Sequence, residues 1–80
     1  MTAILTRLRP AKVTADEAVA AAKALCLREG VPWLEPVSVR RVWSDWVVWT
    51  HAGRKGGGNV ELRVDIMSGV ARRTWGPLSR

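Results

Sequence analysis

His51 is the only histidine and Cys26 the only cysteine in the chain, so a single pairing exhausts the ways in which a thiol could be set beside an imidazole base. Cys26 falls on the apolar side of a helical pattern, where a thiol acts as a small hydrophobe, and His51 ends an extended stretch, where a solvated ring is expected. A metal site needs three or four converging His, Cys or carboxylate ligands, and one His, one Cys and scattered acids do not supply them. Asp45, Glu61 and Asp65 are the acids that a sheet could bring together for acid–base work. Cross-strand pairing with Arg41, Arg63 or Arg72 is the expected use of such acids. Gly53-Arg-Lys-Gly-Gly-Gly-Asn59 offers amides and two cations to a phosphate, but it lacks the P-loop order and leads into a strand pattern rather than a helix. It reads as a hairpin loop. The sequence thus points to no catalytic residue, no metal and no cofactor.

Five Trp in a chain without Tyr or Phe are more informative. Trp43 and Trp46 are expected in the core, because each buried indole removes roughly 150–250 Å² from water and a small domain has few other large side chains. Trp46 and Trp49 are an odd number of residues apart on one strand and so point to opposite faces. Trp33, in a Pro-flanked segment, and Trp75, before Gly76-Pro77, are expected to be partly exposed. Exposed Trp beside Arg is the composition of a protein-interface hot spot, and the same mixture can stack nucleic-acid bases. The candidate partner-binding residues are Trp33, Trp49, Trp75, Arg41, Arg54, Lys55, Arg63, Arg72 and Arg73. A net charge of +6 and a pI near 11.1 suggest an anionic partner. The ten Arg are spread along the chain rather than clustered, which favours a protein with an acidic surface over nucleic acid.

These residues need elements to position them. Eighty residues make one domain, 1–80, too small for both a deep cleft and its own core. Residues 1–12 read as an N-terminal extension. Over 14–29, Thr14-Ala-Asp-Glu17 forms a capping box, Ala15, Ala18, Val19, Ala21, Ala22, Leu25 and Cys26 fall on one side, and Gly30 and Pro32 end the helix. From Val37 the period becomes two. Strands are predicted from Val37 to Trp43, with a bulge at Arg40-Arg41, from Trp46 to His51, from Asn59 to Met67 and from Val70 to Trp75. Ser44-Asp45 and Ser68-Gly69 are the intervening turns. Val60, Leu62, Val64 and Ile66 need an apolar cover, and the Ala/Leu stripe of the helix is the only one on offer. The predicted fold is α+β: one N-terminal amphipathic helix packed on a four-stranded antiparallel meander spanning 37–75. The other face is open.

Thr14-Ala-Asp-Glu-Ala18 opening an Ala-rich helix, Trp46-Val-Val on a middle strand and Val64-Asp-Ile-Met-Ser-Gly-Val70 resemble the small PepSY-type domains, with Ser68 in place of the family's Thr. The outline over about residues 14–77 is also similar to short bacterial immunity proteins of the nuclear-transport-factor-like fold. The resemblance implies a non-catalytic, cystatin-like sheet that binds protein. No stretch reaches the ~20 apolar residues of a membrane span, and the N-terminus has no signal-like apolar run. The expected function is therefore a cytoplasmic protein-binding module of immunity or inhibitor type, with a small basic nucleic-acid-binding protein as the alternative. An uncovered sheet edge also leaves a homodimer open.

Overall fold

The computed structural model describes residues 11–53 and 58–76. Thr14 starts the helix as predicted: the Glu17 amide donates to its hydroxyl at 3.1 Å and the Thr14 amide donates to the Glu17 carboxylate at 2.8 Å, which satisfies two donors that a helix N-terminus leaves without partners. Helix α1 runs Ala15–Glu29 and stops at Gly30, whose φ of 69° is the left-handed conformation that glycine adopts without strain. Its inward stripe of Ala18, Ala22, Leu25 and Cys26 is buried. Three of those four side chains are small, which permits close approach of the helix to the sheet. Burial pushes the Cys26 thiol above its ordinary pKa, which suits packing and opposes nucleophilic use.

Four strands follow: β1 Val37–Val42, β2 Asp45–Thr50, β3 Glu61–Asp65 and β4 Ala71–Trp75. They pair antiparallel in the order β1-β2-β3-β4, the α+β meander expected. Leu62 and Val64, with Val60 before β3 and Ile66 after it, are buried, and Val48 of β2 completes the layer against the helix. Each such side chain contributes about 1.5–3 kcal/mol when fully buried, so this layer is the main tie between helix and sheet. Trp46 packs on the same side, and its Nε1–H donates to the Val13 carbonyl at 2.7 Å. The amides of Lys12 and Val13 both donate to the Ile66 carbonyl at 2.9 Å, so the segment entering the helix is stitched to the β3–β4 turn.

Three local expectations are corrected. β1 pairs with β2 without interruption through Arg40 and Arg41; the register shift lies instead at Glu61/Leu62, between β3 and β4, where Thr74 is the extra residue. The first turn is Trp43-Ser44 rather than Ser44-Asp45, because Val42 pairs with Asp45 and leaves a two-residue loop. Trp43, expected in the core, is 84% exposed at that loop with φ 56°, whereas Ser44 is not at positive φ. That is the pattern of a type II′ hairpin turn, which normally has glycine first. The second turn follows the sequence: the amides of Met67 and Ser68 donate to the Asp65 carboxylate at 2.8 and 2.9 Å, and Gly69 takes φ 77°. Among the described residues, no helix is long and apolar enough to cross a membrane.

Candidate functional site

Strand alternation sends Leu62, Val64 and Val48 to the helix and sends Glu61, Arg63, Asp65, Val47 and Trp49 to the uncovered face. Ser38 and Arg40 of β1 are the cross-strand partners of Trp49 and Val47, so they lie on that face too. Arg72 and Trp75 of β4 join them opposite Arg63 and Glu61.

Asp45 is only 8% exposed and takes two guanidinium groups, Arg72 Nη2 at 2.9 Å and Arg63 Nη1 at 3.7 Å from Oδ2. Glu61 lies 3.8 Å from Arg63 Nε and accepts from the Thr74 hydroxyl at 2.6 Å. The three acids therefore share one face, but Asp45 and Glu61 are engaged by Arg and Asp65 caps its turn. Cross-strand pairing is their structural use. Three cations, Arg40, Arg63 and Arg72, balance three acids, so the face is neutral overall while locally polar.

Trp49 and Trp75 meet across the strand that carries Glu61, with ring centroids 5.4 Å apart and planes tilted by 34°. Beside them, Ser38, Arg40, Val47, Trp49 and Glu61 line a concavity of about 320 Å³. Val47 is buried, Trp49 is half-buried, and the Arg40 side chain is exposed with no ion pair among the described residues. The hollow thus offers an aromatic wall, an aliphatic floor, one guanidinium, and the Glu61 carboxylate that Arg63 and Thr74 already engage. Such a surface suits an apolar side chain flanked by a carboxylate.

The structure brings four of the sequence candidates together here: Trp49, Trp75, Arg63 and Arg72. Trp33, Arg41 and Arg73 belong to the other layer. Trp33 is half-buried against the helix-side core, Arg73 Nε lies 3.4 Å from Glu29 of α1, and Arg41 sits opposite Trp46 with its Nε–H donating to the Trp43 carbonyl at 3.2 Å. Arg54 and Lys55 lie outside the described residues. Ser38, Arg40 and Val47 are not among the sequence candidates and Glu61 is there only as an acid, although the alternation of Val37 and Val39 with Ser38 and Arg40 already places the latter two on the open face. Among the described residues, no group of three or more His, Cys, Asp or Glu could hold a metal ion.

The overall charge resolves unevenly. The described residues contain eight cations and seven acids, a net of +1, and the other five cations are Arg7, Arg9, Arg54, Lys55 and Arg80. No protein-family model matches the chain, and neither does any curated protein or solved structure.

Proposed function

We propose that this chain is a non-catalytic protein-binding module that holds its partner on the open face of the sheet. The Trp49–Trp75 pair beside the Arg40-rimmed concavity carries this reading. Indole and guanidinium anchors at the centre of a surface supply most of the binding energy in protein interfaces, and here both kinds stand on rigid strands. A neutral, locally polar face fits a mixed protein surface better than a phosphate backbone, which rewards a continuous positive stripe. A cytoplasmic immunity or inhibitor protein is the specific form of this proposal.

The test is affinity purification from native cells with nuclease treatment, using the wild-type chain and a Trp49→Ala/Trp75→Ala variant in parallel. A protein that survives nuclease treatment with the wild type and is lost with the variant is the expected result. In a parallel purification without nuclease, retention of nucleic acid alone, weakening steeply with salt, would overturn the reading in favour of a nucleic-acid binder.

A further inference from the structure

We infer that β1 is a docking edge for an extended segment of another protein, apolar where it faces Val37 and Val39 and acidic where it faces Arg40. This inference rests on the protein-binding reading and names its partner chemistry. The two-residue loop makes Val42 and Asp45 the closing hydrogen-bonded pair, so Ser38, Arg40 and Val42 spend their main-chain groups on β2. The same alternation appears on the far side of β2, where the Thr50 amide donates to the Val60 carbonyl and the Ile66 amide to the Ser44 carbonyl. Val37 and Val39 therefore aim their amides and carbonyls away from the sheet, and these outward groups have no partner among the described residues. A row of this kind is a template for one more strand.

Charge and shape choose β1 over β4 and a foreign segment over a second copy. Arg72 and Arg73 on β4 are engaged by Asp45 and Glu29, and α1 lies nearer β4 than β1. Arg40 has no ion pair among the described residues, and the concavity begins beside it. Ser38 lines the concavity with a short, exposed side chain, which leaves room for a long apolar side chain from an added strand to reach past it toward Val47 and Trp49. Val37 and Val39 are only half-buried at the margin of the core, and an added apolar residue would cover them. Pairing β1 with the β1 of a second copy would bring together two strands that carry Arg40 and Arg41 and no acid, which like charge opposes.

The experiment selects from a display library of random linear peptides on the full chain, then follows the selected peptides by amide NMR and hydrogen exchange. The expected selection is enriched in segments with adjoining apolar and acidic residues. Their binding slows exchange of the Val37 and Val39 amides, and it falls by roughly tenfold or more when a peptide amide facing β1 is N-methylated or when Arg40→Glu is introduced on the protein. Binding that survives N-methylation, or that shifts Trp49 and Trp75 while leaving the Val37 and Val39 amides unprotected, overturns edge pairing and leaves the open-face reading standing. A selection with no acidic enrichment also overturns it. Dimerisation of the unliganded chain with slowed Val37 and Val39 exchange would assign the edge to a second copy instead.

Discussion

Trp49 and Trp75 are both cross-strand partners of Glu61, one on each side of β3, and their rings still meet at 5.4 Å. Two indoles can span the strand between them because each is long and because the extra residue at Thr74 shifts the end of β4. The pair is expected to add about 0.5–1.5 kcal/mol beyond its buried area, so a Trp49→Ala, Trp75→Ala double-mutant cycle in urea should show coupling of that size. Additive single effects would show that the rings do not interact.

Asp45 is the hub of the open face, accepting from Arg72 at 2.9 Å with Arg63 at 3.7 Å. Its side chain is 12% exposed, whereas those of Arg63 and Arg72 are 33% and 53% exposed and can regain water when the acid is removed. Asp45→Ala is therefore expected to cost about 1–2 kcal/mol in urea denaturation, less than the loss of a fully buried pair. An unchanged midpoint would mean that the bridge contributes nothing.

Trp43 adopts φ 56° while leaving 84% of its surface in solvent. A left-handed bulky residue costs about 1–2 kcal/mol, and glycine recovers that at an unfolded-state entropy cost of about 0.5–1 kcal/mol. Trp43→Gly is expected to raise stability by up to about 1 kcal/mol. A less stable variant would show that the indole makes stabilising contacts at the turn.

The amides of Ser68 and Met67 hold the Asp65 carboxyl below its ordinary pKa, helped by the Ser68 hydroxyl and by Arg72. A carboxyl depressed in the folded state contributes stability that is present above its unfolded pKa and is lost as pH falls through the folded value. Asp65→Asn can still accept one turn amide but cannot titrate. The variant is expected to lose less stability than wild type as pH falls from neutral into the acid range, measured as urea midpoints. Parallel curves would show that Asp65 does not contribute to acid unfolding.

Much of this architecture is local and therefore legible in sequence. The Thr14/Glu17 box, the Gly30 stop and the Val60-Leu62-Val64-Ile66 alternation each depend on neighbours a few residues away. The hydrophobicity of Trp43 argues for the core, whereas pairing of Val42 with Asp45 makes it a turn residue. Alternation looks broken at Arg40-Arg41, whereas the real shift at Glu61/Leu62 arises from the pairing of two strands and leaves no mark in either alone. Trp49 and Trp75 were both candidates, but their meeting is set by register across three strands. The hollow gathers Ser38, Arg40, Val47 and Glu61 from as many as three strands, so no linear motif announces it.

The most direct measurement is hydroxyl-radical footprinting of the chain with and without its nuclease-resistant partner, since Trp oxidation reads the open face itself. Trp75, 59% exposed on that face, and Leu27, 81% exposed on the helix, are built-in reporters of the two sides. Protection of Trp75 and Trp49 with Leu27 still labelled is the result expected of an open-face binder. Protection of Leu27 with Trp75 still labelled would contradict it.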